Sequence, residues 1–299
     1  MTSYATQQLE SYRFTQLAVD VACFVCGSDG AYERERCRHC SAPLALSLQA
    51  AEQKSPPQLI SVLGAANAGK TVFLGLLLDM LSRQPDQLQI LARGAFSVSL
   101  QQATMQRMRE GRFPDPTNTE PEHWSWAHCQ VKFANRRRTK ELVIPDIAGS
   151  TTTEEIEYPG TSPVLANLFT KSTGGLLLLD ASQLEASDSS VDYWAMKAVT
   201  YLAELKAPRR RGWDRRPLAI VFTKADRSDV CRDNPRLFAE KRAPGLVKQC
   251  EQRLRCFEFF AASAVGASAV QRGLQSSIHI PLRVEPYGFV EPFAWLADF

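Results

Sequence analysis

Gly64-Ala65-Ala66-Asn67-Ala68-Gly69-Lys70-Thr71 meets the pattern G-x-x-x-x-G-K-[ST] at every fixed position, and its surroundings are those the pattern requires. The run before it, Gln58-Leu59-Ile60-Ser61-Val62-Leu63, is apolar and of strand length; the run after it, Val72 to Leu81, reads as a helix. Glycines let the backbone curl round phosphate oxygens, so that several N–H groups converge at a helix N-terminus whose partial positive charge already favours an anion. In such a loop Lys70 neutralises the β- and γ-phosphates and Thr71 offers its hydroxyl to Mg²⁺. Glycine-rich loops before helices also serve plain turns, so the reading leans on three further motifs that follow in order.

The 299 residues, 44% hydrophobic and 22% charged, suffice for one sizeable α/β core with a small extra module. With 35 basic against 32 acidic residues and a net charge of +3, nothing electrostatic argues for nucleic acid or an anionic membrane as partner. The opening Met-Thr-Ser-Tyr-Ala-Thr-Gln-Gln has no basic segment leading into an apolar run, and apolar runs such as Leu176 to Leu179 fall far short of a membrane span. A cytoplasmic protein is expected.

Of eight cysteines, Cys129, Cys231, Cys250 and Cys256 are scattered and read as packing. The other four form Cys23-Phe24-Val25-Cys26 and Cys37-Arg38-His39-Cys40, the spacing of a short zinc ribbon over 23–47. Two turns each offer a pair of thiolates to a tetrahedral ion, with Gly27 and Ser41 placed to form those turns. A redox pair or two disulfides would use the same residues, but a redox C-x-x-C belongs to a thioredoxin-like pattern that is absent. So small a module cannot bury enough apolar surface to fold alone, and a metal worth on the order of 10 kcal/mol would be its fold. Four cysteine ligands leave no open position for chemistry, and His39 reads as a solvated side chain.

Residues 1–22 carry no motif, and 48–57, ending in Pro56-Pro57, read as a linker. From 58 onward the nucleotide domain is expected to run to 299. After a strand at Leu88–Leu91 and a helix at Leu100–Arg109, the chain breaks into Gly111-Arg112-Phe113-Pro114-Asp115-Pro116-Thr117-Asn118-Thr119-Glu120-Pro121. Here a nucleotide switch would place the threonine that reaches Mg²⁺ and the γ-phosphate: Thr117, with Thr119 as second candidate. Two β-rich runs, Trp124 to Phe133 and Glu141 to Ile147, read as an antiparallel pair joined through Arg136-Arg137-Arg138. The second ends in Asp146-Ile147-Ala148-Gly149, a carboxylate for the magnesium shell and a glycine whose N–H approaches the γ-phosphate. Pro145 deletes a ladder donor and suggests that pairing ends there.

The leucines of Gly174 to Asp180 fit a parallel strand covered on both faces, and Ser189 to Lys206 fits an amphipathic helix. Pro208 to Arg216 is a basic loop, read as a solvated turn rather than an anion contact. The strand Leu218 to Phe222 leads into Thr223-Lys224-Ala225-Asp226, which selects the base. Asp226 can accept from the N1–H and exocyclic amine of guanine, whereas adenine opposes a lone pair to it, a mismatch costing of order 10⁴ in affinity. Lys224 would lie along the base, and Ser263-Ala264-Val265 after the last strand, Cys256 to Ala262, would bring the Ala264 N–H to the guanine carbonyl. The C-terminal Pro286 to Leu296 is expected to pack a final helix on the sheet.

In this order, G-x-x-x-x-G-K-T, D-x-x-G, T-K-x-D and S-A resemble the small-GTPase-like, translation-factor-related (TRAFAC) class of P-loop GTPases over 58–299. The insert before the switch threonine, the antiparallel strands and the ending Gly288-Phe289-Val290-Glu291-Pro292-Phe293-Ala294-Trp295-Leu296 look more narrowly like the prokaryotic double-GTPase families. The resemblance implies an α/β fold, a mostly parallel sheet with one antiparallel strand and helices on both faces, here preceded by a small zinc-ribbon module. It implies GTP or GDP as ligand, with Gly64, Asn67, Ala68, Gly69, Lys70, Thr71 and Val72 around the phosphates and Asp146 and Gly149 at the γ-phosphate and metal. Thr223, Lys224, Asp226, Ser263, Ala264 and Val265 would surround guanine. Lys70, Thr71, Thr117 and Gly149 would carry catalysis; Thr71, Thr117 and Asp146 would hold Mg²⁺; Cys23, Cys26, Cys37 and Cys40 would hold Zn²⁺. Where Ras-like enzymes carry a water-orienting glutamine, this chain has Ser150, with Glu154 and Glu155 as replacements or as solvated carboxylates. Slow GTP hydrolysis stimulated by a protein partner (activator, effector or second GTPase) is expected, in a bacterial conflict or signalling locus. A pseudo-GTPase that holds nucleotide while its ribbon and basic loops contact a protein or nucleic acid is the alternative, and self-association stays open.

Overall fold

Strands that are apolar at every position belong in a sheet covered on both sides, and that is where this chain puts them. The structure is a computed structural model describing residues 21–30, 35–51, 57–83, 88–92, 94–133, 139–205, 215–272 and 277–299. Most of the N-terminal segment 1–22, the Arg136–Arg138 connection, most of the basic loop 208–216 and residues 52–56 of the expected linker lie outside them.

The cysteine-rich segment supplies β1 (Val21–Ala22) and β2 (Asp29–Gly30), an antiparallel pair, and then α1 (Leu44–Ala51). That helix occupies the first residues of the stretch expected as linker. The main body begins with β3 (Gln58–Leu63), α2 (Lys70–Arg83), β4 (Leu88–Ala92) and α3 (Gly94–Arg109). It continues through β5 (Ser125–Phe133), β6 (Thr139–Asp146), α4 (Gly149–Glu157), α5 (Pro163–Lys171) and β7 (Gly174–Asp180). Then come α6 (Ala181–Glu185), α7 (Ser189–Glu204), β8 (Leu218–Thr223), α8 (Asp229–Asp233), α9 (Pro235–Arg242), α10 (Pro244–Arg253) and β9 (Phe257–Ala261). A hairpin of β10 (Ser263–Arg272) and β11 (Ser277–Tyr287) precedes the last helix, α11 (Val290–Asp298).

The seven strands lie in the order β4-β5-β6-β3-β7-β8-β9. β5 runs antiparallel to both its neighbours and every other pairing is parallel, so one strand alone opposes the rest. Successive residues of β7 and β8 alternate between two cores. Leu177, Leu179, Ile220 and Phe222 join α5, α7, α9 and α10 on one face. Leu176, Leu178, Ala219 and Val221 join α2 and α11 on the other. The cysteine-rich module is built onto the first face: Cys23, Val25, Cys37, Cys40, Leu44 and Leu46 share one apolar cluster with Leu59, Trp126, Leu168 and Phe169. Gln49 of α1 adds a polar tie to His128 of β5, Oε1 to Nδ1 at 3.0 Å, while the other ring nitrogen of His128 meets Glu141 at 2.9 Å.

Two expectations are corrected. Pairing does not stop on both sides of Pro145: β6 parts from β3 after Val143, where proline has no N–H to give, yet stays in register with β5 through Asp146. The strand expected to be the last, Cys256 to Ala262, is followed by a long bulged hairpin, with Ser263 paired to Tyr287.

Candidate functional site

Because β3, β6, β7 and β8 are parallel, their carboxyl ends open at one edge of the sheet, and the loops there converge. Gly64 follows β3 directly and Lys70 begins α2, so the loop between them closes over a helix N-terminus. Asn67 and Gly69 take left-handed backbone angles, φ 63° and 84°, which bend the loop inward. Lys70, 6% exposed, donates to the carbonyls of Gly64 (2.8 Å) and Ala65 (3.0 Å). Burial pulls its ammonium down to about 8, against the opposing pull of Asp146.

Three oxygen-bearing side chains meet below the loop. Thr71 Oγ1 donates to Asp146 Oδ2 at 2.8 Å, Thr117 Oγ1 reaches the same oxygen at 3.3 Å, and the two hydroxyls stand 2.9 Å apart. Asp146 Oδ1 is buried with no hydrogen-bond partner, and burial raises the carboxyl to about 6 although Thr71, Lys70 and Thr117 all favour its charged form. A divalent cation would supply the charge this buried carboxylate lacks. Gly149, first residue of α4, presses on the loop itself: a Cβ there would lie 2.5 Å from the Ala65 carbonyl and the Ala66 nitrogen. No other residue fits that approach.

At the far end of the same edge, Thr223 Oγ1 donates to the carbonyls of Ala68 (2.9 Å) and Leu179 (3.2 Å), tying the loop after β8 to the phosphate loop. Lys224 takes a left-handed conformation, φ 56°, and its ammonium pairs with Asp180 at the end of β7. The Ser263 hydroxyl donates to Asp226 Oδ1, and Ala225 N–H donates to Ala262 O (3.2 Å), so the two segments brace each other. Ala264 is half-buried and Val265 buried beside them; Val72 is half-buried behind the phosphate loop. Asp180 was not singled out from the sequence, although a carboxylate closing a buried apolar strand is the same signal that drew attention to Asp146.

Other candidates fall elsewhere. Thr119 is exposed, and its carbonyl accepts from Thr151 Oγ1 at 3.3 Å, so it does not join Thr71 and Asp146. Glu155 is neither solvated nor poised over water: it is 1% exposed and accepts from Tyr201 OH (2.7 Å), Gly160 N (3.0 Å), Thr161 Oγ1 (3.2 Å) and Ser162 N (2.7 Å). It clamps the turn after α4 onto α7. Glu154 and Ser150 are exposed. Arg216, read as part of a solvated loop, is buried and donates to Phe169 O at 3.1 Å.

The four sulfurs of Cys23, Cys26, Cys37 and Cys40 lie within 4.8 Å of one another, and all four cysteines are free. Both knuckles turn through a left-handed residue, Gly27 (φ 74°) and Ser41 (φ 55°), whose N–H groups donate to Cys23 O (2.7 Å) and Cys37 O (3.0 Å). His39 N–H points at Cys37 Sγ, 3.4 Å away, while its ring is exposed. The cluster has the shape and donor set of a tetrahedral thiolate metal site. Among the described residues it is the only such group of metal-ligating side chains, and no helix is long and apolar enough to cross a membrane.

A family model described as Double-GTPase 2 matches residues 58–278. No curated protein matches the chain. Among solved structures, the Ski7 GTPase-like domain of S. cerevisiae bound to GTP is 18% identical, with a TM-score of 0.45 over 81% of this chain and 50% of that one. The same domain bound to GDP and inorganic phosphate gives 18% and 0.40, over 69% of this chain and 43% of that one, so the chain spans half or less of the Ski7 chains it matches. The small COPII coat GTPase SAR1 from Encephalitozoon cuniculi, in complex with GDP, is 12% identical at a TM-score of 0.38, covering 81% of this chain and 79% of its own. The family match, with the loop geometry above, makes this a GTP-binding, GTPase-like domain.

Proposed function

We propose, from the premise that the chain belongs to the Double-GTPase 2 family, that it is a guanine-nucleotide switch whose slow GTP hydrolysis is accelerated by a protein partner. The observation that carries the proposal is the meeting of Thr71, Thr117 and Asp146 beneath the phosphate loop, with one buried carboxylate oxygen left without a partner. Thr71 and Thr117 would offer hydroxyls, and Asp146 its charge, to Mg²⁺. Bound there, the ion supplies positive charge against the negative charge that develops on the transferring phosphoryl group.

The chain's own groups do the rest. Lys70, already beside the loop carbonyls, would turn its ammonium onto the β- and γ-phosphates, and Gly149 N–H would face the γ-phosphate from α4. Thr223, Lys224 and Asp226, with Ser263, Ala264 and Val265, would hold guanine. Among the described residues, nothing comparable is in place for the attacking water. Ser150 has a short hydroxyl, and all of Glu155's capacity is spent on the α4–α7 clamp. Hence slow turnover alone and stimulation by an activator, effector or second GTPase in a bacterial, cytoplasmic signalling or conflict system.

The test is single-turnover phosphate release from the GTP-loaded chain. A slow release that Lys70→Ala abolishes supports the switch; a rate typical of activated GTPases from the isolated chain refutes it. Tight nucleotide without release supports the second reading, a pseudo-GTPase scaffold, which the engaged Glu155 favours.

The cysteine cluster is proposed to hold a structural Zn²⁺. Its apolar residues belong to the same core as β3 and α5, so we read 23–47 as a metal-pinned module docked on the 58–299 domain. Chelation is then expected to lower the melting temperature of the whole domain in one transition, with one zinc per chain released. Two separate transitions would contradict the shared core.

A further inference from the structure

We propose that Asp180 is a positioning residue for the guanine site: it sets nucleotide affinity by anchoring Lys224, a role that rests on the switch reading above. Asp180 ends β7, is 5% exposed, and stands in register with Thr223 on the neighbouring strand. Its two oxygens are divided between two tasks. Oδ1 accepts from Ser182 N (2.9 Å) and Ser182 Oγ (2.6 Å), starting α6; Oδ2 receives the Lys224 ammonium.

Lys224 needs that anchor for two reasons. Its backbone is left-handed, a conformation unfavourable to any residue with a Cβ, so the loop holds this shape only if other contacts fix it. Its side chain is 42% exposed, so without a partner the stem would be free to swing through solvent and would have to be ordered when a base arrives. Asp180 removes that cost in advance. The nearby Thr223 contacts help to hold the backbone of the loop but do nothing for the lysine stem.

The expected consequence concerns the base and not the phosphates. Asp180→Asn keeps an oxygen for Ser182 while deleting the negative charge that holds Lys224. GTP and GDP should both bind more weakly, each by about three- to ten-fold, the modest size following from the half-exposed lysine. A role in capping α6 alone would lower thermal stability and leave affinity untouched, and Ser182→Ala supplies that control.

The experiment measures GTP and GDP affinity of the full chain for wild type, Asp180→Asn, Lys224→Met and the double variant. The proposal predicts that Asp180→Asn weakens binding in the wild type and has no further effect beside Lys224→Met. Equal losses in both backgrounds, or none in either, overturn it. If Asp180→Asn fails to fold, Asp180→Ser, another helix-starting residue, makes the same test. Wild type that binds no guanine nucleotide overturns the switch reading and this inference with it; wild type that binds well beside an unaffected Asp180→Asn overturns this inference alone.

Discussion

The two ends of the nucleotide site are built on opposite plans. At the base end the polar side chains find partners within the protein: Thr223 with Ala68 and Leu179, Lys224 with Asp180, Asp226 with Ser263. At the phosphate end the protein does not satisfy its own groups. Asp146 keeps a buried oxygen without a partner, and Lys70 rests on carbonyls with its pKa lowered by burial. One end would suit a flat, uncharged, hydrogen-bonding base; the other carries an electrostatic deficit that a charged ligand and its cation would relieve. On the proposed switch reading, selectivity would be preorganised and the conformational response to ligand would be concentrated where the charges are.

If that contrast holds, substitutions at the two ends should fail in different ways. The largest effect is expected from Lys70→Ala, which removes the buried ammonium of the phosphate loop. Single-turnover GTP hydrolysis should fall by about 100-fold or more, while the melting temperature changes little. Asp226→Ala should fail the other way, bringing GTP affinity down by about 10- to 100-fold toward that of ATP, with hydrolysis of bound GTP retained. A fall in the hydrolysis rate equal to that of Lys70→Ala would break the contrast.

A pH effect is expected at the phosphate end. Asp146 lies at about 6 in the folded chain against an ordinary value of 3.8, so the folded state holds this proton more tightly than the unfolded one. Its stabilising contribution is complete below pH 3.8 and is lost as pH rises through about 6, amounting to about 3 kcal/mol at most for the nucleotide-free chain. Thermal melts between pH 4 and 7 should show this decline, and Asp146→Asn should flatten it. The smallest effect is expected at Thr119: Thr119→Ala should stay within about 0.5 kcal/mol of wild type in stability and leave hydrolysis alone, whereas Thr117→Ala slows it. The reverse ranking would relocate the switch threonine.

The features legible in the sequence were those encoded locally. The phosphate loop, the strands flanking it and the paired C-x-x-C turns depend on residues a few positions apart, and their readings needed only period and spacing. The single antiparallel strand was legible because two β-rich runs joined by a short connection can hardly pair otherwise. What escaped depends on contacts between distant parts of the chain. Glu155 looks like a solvated switch carboxylate until the turn at 158–162 and Tyr201 are folded around it. Arg216 looks like the edge of a basic loop until Phe169 O meets it, and the cysteine module looks separate until Leu44 and Leu46 join the domain core. Asp180 sat in plain view at the end of four leucines, but its partner Lys224 is on the next strand. The long hairpin after β9 carries no turn signal strong enough to announce it.

The most direct measurement is a calorimetric titration of the nucleotide-stripped chain with GTP and with ATP, each in Mg²⁺. The account predicts tight binding of GTP and binding of ATP weaker by about 10³-fold or more, as a carboxylate matched to guanine and opposed to adenine requires. ATP bound as tightly as GTP, or neither nucleotide bound by the folded chain, would contradict it.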